Sequence, residues 1–350
     1  MTTTATLLLL VAVSAAEDAP KKPSATTDIR SVDADFAYQG EYVASVRTGR
    51  RSWYSWGLQV VARGQGRFDA YVLNGGLPGA GWDGSSRRKL NGHRQGEVAL
   101  LTDADGRLEI TPSGATLFDQ AGQVTHVFAK VARQSPNLGT PPPANAVVLF
   151  DGTDTGELKD LKITPDGLMQ IGSMTKRAVQ DFRLHIEFRT PYMPDAQGQG
   201  RGNSGVYIQQ RYEVQILDSF GLDGAFNECG SLYRQQTPDV NMCLPPLTWQ
   251  SYDIYFTAAK FDDQGKKIAS ARITVIHNGV PVHSDREIKD KTGAGQKEGP
   301  DARPILFQNH GDPVHFRNVW LVETAPGEPC ADHCGGPIRR LLQRLCHCRR

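Results

Sequence analysis

The stretch from Asn203 to Asp218, NSGVYIQQRYEVQILD, decides the fold of this chain. Side chains of a β-strand point alternately to the two faces of a sheet, so alternating apolar and polar residues are sorted onto opposite faces. The apolar residues of this stretch share one face: Val206, Ile208, Val214 and Ile216. The polar residues share the other: Tyr207, Gln209, Glu213 and Gln215. Two neighbouring strands are therefore predicted, with one face on a core and the other open to a polar ligand such as a sugar.

Residues 182–189, 252–256 and 305–310 alternate in the same way, which indicates further strands. If all the apolar sets face a common core, the polar sets converge in part on one exposed surface. That predicted surface consists of His185, Glu187, Arg189, Tyr207, Gln209, Glu213, Gln215, Gln308 and His310. Acids, a histidine, amides and an arginine on rigid strands suit acid–base chemistry and hydroxyl recognition. The alternative is a solvated sheet face with incidental charges.

The composition favours a turn-rich, all-β architecture. The 350 residues include 36 Gly and 21 Pro with few helix-favouring runs, and the length suffices for two domains with a core each. The formal net charge is +1, so no global field would recruit nucleic acid or an anionic membrane. No apolar run of about 18 residues follows the N-terminus, so no internal membrane span is expected.

The N-terminus is typical of an export signal. An apolar stretch from Ala5 to Ala16 ends in small residues that suit signal peptidase, although a charged first segment is missing. We therefore expect a signal peptide at residues 1–16, a mature protein that begins near Ala16 or Glu17, and a periplasmic or secreted location. Residues 17–32, rich in Pro, Lys, Ser and Thr, would form a linker. The alternative is a short disordered tail.

Two β-rich domains are expected after that linker. Residues 33–133 hold short β-like runs separated by glycine-rich turns, a spacing that suits a small antiparallel sandwich or barrel. Residues 134–145 contain three consecutive prolines, which favour a stiff spacer. The second domain is expected to span residues 146–323.

The six cysteines fall into two groups. Cys229 and Cys243 flank a loop beside the predicted polar surface, where export would allow a disulfide. The other four lie in a basic tail, residues 324–350: Cys330, Cys334, Cys346 and Cys348. Their spacing matches no standard zinc finger, so a peripheral disulfide-tied or disordered tail is expected, and a small zinc knot is the alternative.

Several motifs of the second domain occur together in an order that resembles a known family. They are LFDG at 149–152, FRLHIEFR at 182–189, GNSGVY at 202–207, YEVQILDS at 212–219, WQSYDI at 249–254, QNHG at 308–311 and FRNVW at 316–320. In this order they resemble the 3-keto-disaccharide hydrolase domain family. The resemblance covers residues 146–323.

The resemblance implies a concanavalin-like jelly roll of two antiparallel sheets, with a glycan cleft on the concave sheet. It also implies a carbohydrate substrate, a glycoside whose C3 hydroxyl has been oxidised to a ketone. Such a ketone acidifies the C2 proton, so a carboxylate can remove this proton while hydrogen-bond donors stabilise the enolate oxygen. The C1 substituent then leaves by β-elimination, and water can add to the resulting enone.

On this chain Glu213 is the leading candidate for the base, and His310 for an acid or enolate donor. The residues expected to bind or orient substrate are Glu187, Arg189, Asn203, Tyr207, Gln209, Gln215, Asp218 and Gln308. The spacing Glu213-x-Gln215-x-x-Asp218 also resembles the Glu-x-Asp-x-x-Glu pattern of laminarinase-like hydrolases, but Gln215 cannot ionise. Asp218 falls on the Val214 face unless a bulge resets the register. Double displacement, which needs two carboxylates about 5 Å apart, is therefore in doubt.

Several alternatives stay open. Residues 203–205 could form only a turn, and His310 could merely cap a hairpin loop. Arg317 is expected to pair with a carboxylate inside the fold rather than to touch sugar. His185 and Glu187 could hold a metal, but no close-spaced ligand motif supports this, so metal and cofactor content is left open. A non-catalytic carbohydrate-binding or scaffold protein could use the same fold, although a face led by Glu, Gln and His favours an enzyme.

Overall fold

The computed structural model describes residues 23–47 and 53–324, and within them the chain is built almost entirely from β-strands. The all-β fold class predicted from the sequence is confirmed. The predicted signal peptide and the four tail cysteines lie outside the described residues. Within the described ranges, no helix is long and apolar enough to cross a membrane.

In chain order the strands are β1 (Gly40–Arg47), β2 (Trp53–Ala62), β3 (Arg67–Asn74), β4 (Arg87–Gln95), β5 (Val98–Asp103), β6 (Gly106–Thr111), β7 (Gly114–Asp119), β8 (Val124–Val131), β9 (Val147–Phe150), β10 (Leu158–Lys159), β11 (Met169–Gln170), β12 (Met174–Thr175), β13 (Phe182–Arg189), β14 (Ser204–Ile208), β15 (Tyr212–Ile216), β16 (Gln250–Thr257), β17 (Lys260–Phe261), β18 (Lys267–Ala269), β19 (Ala271–His277), β20 (Val280–Ile288), β21 (Leu306–Phe307) and β22 (His315–Glu323). Short 3-10 helices lie at Ile29–Ser31, Ala34–Ala37 and Gly198–Gly200.

Strands β1 to β8 close into an antiparallel barrel, because β1 pairs with both β2 and β8. Apolar side chains that alternate along these strands fill the interior. Tyr42, Leu58, Phe68 and Leu101 are among them, and none is more than 1% exposed. Closure pairs both edges of the sheet, and of the two architectures expected for this part of the chain, the barrel is the one that forms.

Two antiparallel sheets pack face to face in the C-terminal half. The first, here called the front sheet, has the strand order β10-β12-β21-β14-β15. The second, the back sheet, has the order β11-β22-β13-β16-β19-β20, and β9 pairs with β22. Val206 and Val214 from the front sheet share one core with Leu184 and Ile254 from the back sheet. Residues 203–218 thus form two neighbouring strands as predicted, and this sandwich is compatible with a jelly roll.

The barrel and the sandwich share apolar contacts. Val61, Tyr71 and Leu73 of the barrel belong to the core cluster of the sandwich, together with Phe220. In the other direction, Tyr192 belongs to the core cluster of the barrel. The contact is therefore continuous with both cores, which holds the barrel against the sandwich.

The first part of the predicted spacer, before its three prolines, lies on the back sheet. Asn137 Nδ2 donates to Asp253 Oδ2 at 2.7 Å, and Trp320 Nε1 donates to Thr140 O at 3.2 Å. Residues 135–140 therefore cover part of the outer face of the back sheet.

Cys229 and Cys243 are buried free thiols, so the disulfide considered for them is not formed in this structure. Cys229 Sγ lies 3.2 Å from the Tyr252 hydroxyl, and Cys243 Sγ lies 3.5 Å from Leu217 O. Burial raises the pKa of the Cys243 thiol. A protonated thiol in these surroundings packs as a small apolar side chain.

Candidate active site

Glu213 lies on the outer face of the front sheet, directly opposite Tyr207 on the neighbouring strand. Val206 and Val214 face the core, so their neighbours Tyr207 and Glu213 point outward. Both outward side chains are nevertheless buried, Tyr207 at 6% exposure and Glu213 at 3%. An outward carboxyl group that is this well covered must lie beneath other parts of the chain.

Two loops provide this cover. Tyr233 N–H donates to Glu213 O at 3.1 Å, and Glu213 N–H donates to Thr292 Oγ1 at 3.0 Å. Tyr233 and Thr292 were not predicted from the sequence, because neither lies in an alternating segment. Their loops are far from β15 along the chain, and only the folded structure brings them to its edge.

Burial raises the pKa of the Glu213 carboxyl to about 7, although a hydrogen bond with the Tyr207 hydroxyl lowers it in part. A carboxyl group with a pKa near neutrality is suited to general base catalysis, because its ionised form is both populated and basic at pH 7. The local environment of Glu213 therefore matches the role predicted for it.

Gly205 provides the space that the Glu213 carboxylate occupies. Gln308 N–H donates to Gly205 O at 2.8 Å, and Gly205 pairs with Gln215 on its other side. A Cβ atom at Gly205 would lie 2.5 Å from Glu213 Oε1. The Glu213 carboxylate thus lies over Gly205, and Gln308 and Gln215 lie on the two sides of this glycine.

Amide side chains extend the site beyond Glu213. Asn203 Nδ2 donates to Gln199 O at 2.7 Å, and the Gln215 amide lies 3.1 Å from Gln199 Oε1. When the Gln215 amide is turned over, its nitrogen donates to Glu213 Oε1 at 3.2 Å and to Ser204 O at 2.8 Å. Gln215 therefore lies between the carboxylate and Gln199, a residue that sequence reasoning missed because it precedes the alternating stretch. The turn alternative for residues 203–205 is wrong at its second and third positions, which belong to β14.

The loop after β21 closes one end of the site. Asn203 N–H donates to Asp312 Oδ2 at 2.9 Å, which ties this loop to the start of β14. Gln308 Oε1 is buried and has no hydrogen-bond partner in the part of the chain that is described, so it could accept a hydrogen bond from a sugar hydroxyl. His310 is exposed on the same loop. Its role as an acid or enolate donor stays a prediction.

The prediction that His185, Glu187 and Arg189 lie on the same exposed surface as Glu213 is wrong. These residues belong to β13, which pairs with β16 and β22 in the back sheet. Since the core lies between the sheets, they point to the opposite outer face from Glu213. Alternation revealed which side chains point outward, but not which sheet each strand joins.

Glu187 is part of an ion-pair network on the back sheet. Its carboxylate accepts hydrogen bonds from Arg317 Nε at 2.7 Å, Asn318 Nδ2 at 2.8 Å and Gly139 N at 2.5 Å. Burial would raise the pKa of Glu187, but hydrogen bonds from His185 and these donors outweigh burial and lower the pKa to about 2. The expectation that Arg317 pairs with a carboxylate inside the fold is confirmed.

Arg189 also has structural partners on the outer face of the back sheet. Its guanidinium carbon lies 5.0 Å from the centroid of the Trp249 ring, and its Nη2 donates to Thr27 O at 3.3 Å. On the same face, His185 Nδ1 lies 3.0 Å from Asp253 Oδ1. These contacts give Arg189 and His185 structural partners far from the front-sheet carboxylate.

Two further predicted binding residues lie away from Glu213. Gln209 has a φ of 52° in the turn between β14 and β15, where its Nε2 donates to Val179 O at 2.8 Å. Asp218 was expected on the Val214 face, but its carboxylate accepts from Arg201 Nε at 2.6 Å. The alternation ends where β15 ends, at Ile216, so the side chain of Asp218 does not follow the strand register.

The described residues also bear on metal binding. In residues 23–47 and 53–324, no group of three or more His, Cys, Asp or Glu side chains is arranged to hold a metal ion. His185 and Glu187 are instead held by Asp253 and Arg317 in the network described above.

Comparison with known proteins identifies a family for the C-terminal half. Residues 145–322 match the family model described as a 3-keto-alpha-glucoside-1,2-lyase-like domain. A candidate glycosyl hydrolase from Parabacteroides distasonis ATCC 8503 is 32% identical, with 52% of this chain and 84% of that chain covered and a TM-score of 0.47. A second candidate glycosyl hydrolase of that organism is 18% identical, with coverages of 52% and 94% and a TM-score of 0.39. A search of curated proteins found no match.

Proposed function

The chain belongs to the family of 3-keto-alpha-glucoside-1,2-lyase-like domains, and from this premise we propose that its front sheet cleaves 3-keto-glycosides by base-assisted elimination. Glu213 is the base in this proposal. Asn203, Gln215 and Gln308 orient the sugar, and His310 supplies a proton or stabilises the enolate. We propose the same exported location that the N-terminal residues suggest.

One observation carries the proposal: Glu213 is a buried carboxyl group whose pKa is raised to about 7 by burial, against a partial opposing effect of the Tyr207 hydroxyl. A double-displacement site needs a second carboxylate near the first. The next outward residue of β15 after Glu213 is Gln215, which cannot ionise. Asp218 is held by Arg201 at 2.6 Å. A single base of this kind suits removal of an acidic C–H proton better than attack on an unactivated acetal.

The proposed reaction begins with a proton transfer. The Glu213 carboxylate takes the proton from C2, and the electrons of that C–H bond form an enolate with the C3 ketone. The enolate then expels the C1 substituent, so that the C1–O bond breaks, a C1–C2 double bond forms, and the leaving oxygen takes up a proton. Water adds to C1 of the enone and a proton returns to C2, which gives net hydrolysis.

The test compares one disaccharide in two forms, with and without the C3 ketone, under identical conditions. We expect release of the C1 substituent from the 3-keto form and little or none from the parent, because only the ketone acidifies C2. Equal rates on the two forms would contradict elimination and favour a conventional glycosidase. Binding of both forms without cleavage of either would favour a non-catalytic carbohydrate-binding protein.

A further inference from the structure

A groove of about 920 Å³ lies between the barrel and the sandwich. The barrel lines it with side chains of β3, β4 and the turn before β3, among them Arg63, Lys89 and Asn91. The sandwich lines it with Gln197 and Arg201, which precede β14, and with Asp218, which follows β15. A volume of this size is typical of sites for small organic ligands, which run from about 300 to 1,000 Å³.

The groove carries more cations than its carboxylates neutralise. Asp69 is shared by Arg63 at 2.8 Å and Lys89 at 3.4 Å. The remaining cations have one carboxylate each: Arg67 with Asp195, Arg94 with Asp35, and Arg201 with Asp218. Five lining cations therefore face four carboxylates, which leaves one formal positive charge. A groove with this balance favours a ligand that brings a negative charge.

Arg201 offers a hydrogen-bond donor to such a ligand. Its side chain is 2% exposed and lines the groove. Nε donates to Asp218 Oδ2 at 2.6 Å and Nη1 donates to Ala62 O at 3.4 Å. Nη2 has no hydrogen-bond partner anywhere in residues 23–47 and 53–324. A buried guanidinium N–H without a partner costs free energy that a bound acceptor would recover.

The segment of residues 197–199 links the groove to the candidate active site along the chain. Gln197 and Gly198 line the groove, and Gln199, the next residue, accepts a hydrogen bond from Asn203 Nδ2 and contacts the Gln215 amide beside the Glu213 carboxylate. One extended ligand could therefore occupy both places. Its part in the groove would contact side chains of the barrel.

We propose that this groove binds the acidic residue of an oligosaccharide, a sugar ring that carries a carboxylate. The excess positive charge and the free Arg201 Nη2 recognise the carboxylate, and Asn91 and Gln197 offer amide groups to the hydroxyls. That the ligand is a saccharide rests on the proposed function. The barrel then contributes a binding subsite for the substrate. A negative charge on the substrate would determine which oligosaccharides the whole protein prefers.

The test measures binding of two trisaccharides to the full chain by titration calorimetry: trigalacturonic acid, which is acidic, and maltotriose, which is neutral. At an ionic strength of about 50 mM we expect the acidic trimer to bind at least about tenfold more tightly than the neutral one. Inorganic phosphate should compete weakly with the acidic trimer. Equal affinities for the two trimers, or phosphate that binds as tightly as the acidic trimer, would overturn the proposal.

Matched variants locate the site. Lys89→Glu reverses a charge in the groove and should weaken the acidic trimer about tenfold, whereas Lys266→Glu makes the same charge change on an exposed hairpin and should leave affinity within about twofold. Asn91→Trp, at an exposed position, fills the groove without disturbing a core and should abolish binding. Val127→Trp, on the exposed face of β8, is its control. Equal effects of groove and control variants would overturn the proposal.

Glu213→Gln separates this proposal from the proposed function. If both are right, this variant loses turnover and keeps the preference for the acidic trimer. If the wild type shows no preference for the acidic trimer while Glu213→Gln still loses turnover, only the groove proposal is overturned. Full turnover of Glu213→Gln with the preference retained would overturn only the assignment of the base.

Discussion

Two buried glutamates on opposite faces of the sandwich differ in almost everything except burial. Glu213 on the front sheet is 3% exposed and Glu187 on the back sheet is 1% exposed. Burial raises the pKa of Glu213 to about 7. The pKa of Glu187 falls to about 2, because hydrogen bonds from His185, Asn318, Gly139 and Arg317 outweigh burial.

The difference shows that partners, rather than residue type or depth, separate a candidate catalytic carboxyl group from a structural one. Arg317 and the backbone of the connecting segment hold Glu187 ionised. The hydrogen bond with the Tyr207 hydroxyl lowers the pKa of Glu213 only in part. A carboxyl group that the fold leaves with so little stabilisation of its charge is available for proton transfer.

The largest effect is expected from Glu213→Gln. This change keeps the shape of the side chain and removes its basicity, so kcat on a 3-keto-disaccharide should fall by about two to four orders of magnitude. Steady-state kinetics measures the change, and circular dichroism checks the fold. Glu187→Gln is the matched control, with kcat per folded molecule within about twofold of wild type. The comparison fails if the two variants lose activity equally.

The second-largest effect is on stability, and it is expected from the change at Glu187 and not from the change at Glu213. Glu187→Gln leaves Arg317 without its carboxylate and should lower the free energy of unfolding by about 2 kcal/mol, less than a fully buried pair because Arg317 is partly exposed. Denaturant unfolding of the full chain at pH 7 measures this loss. Glu213→Gln should cause no such loss, since an ionised Glu213 is disfavoured by burial. Equal destabilisation by both changes would remove the distinction between the two faces.

Opposite pH dependences should sharpen the comparison. The pKa of Glu213 is raised from 4.5 to about 7, so its stabilising contribution is present below 4.5 and lost as pH rises through 7. Relative to Glu213→Gln, wild type should lose about 3 kcal/mol over that window. The pKa of Glu187 is lowered from 4.5 to about 2, so its contribution is present above 4.5 and lost as pH falls towards 2. The quantity to measure is the free energy of unfolding of wild type minus that of each Gln variant across pH. If this account is wrong, the two differences change with pH in the same direction.

The smallest effect is expected from Tyr207→Phe. Loss of the hydroxyl donor should raise the pKa of Glu213 further, because the hydrogen bond with Tyr207 lowers it. The rising limb of kcat/KM against pH should move to higher pH by up to about one unit. The plateau above that limb should stay close to wild type. A plateau about a hundredfold lower would instead make Tyr207 a catalytic donor.

Local patterns in the sequence were enough to predict part of this site. The period of two placed Val206 and Val214 in the core and Tyr207 and Glu213 on the outside, because the direction of a strand side chain depends only on its neighbours along the chain. The same reasoning placed Glu187 outward, and this too is what the structure contains.

Longer-range features could not be predicted in this way. The pairing of β13 with β16 and β22 puts Glu187 on the back sheet, and no local pattern encodes that choice. Asp218 escapes the strand register because β15 ends at Ile216, and its partner Arg201 lies outside the alternating stretch. The loops that bury Glu213 are brought in by tertiary contacts alone.

The most direct test of the central claim is the deuterium content at C2 of the sugar released from a 3-keto-disaccharide in deuterated water, after subtraction of enzyme-free exchange. If Glu213 removes the C2 proton, wild-type turnover should place deuterium at C2, and Glu213→Gln should place almost none. Cleavage at the wild-type rate that gives the hydrated 3-keto-sugar without deuterium at C2 would contradict elimination at the front sheet.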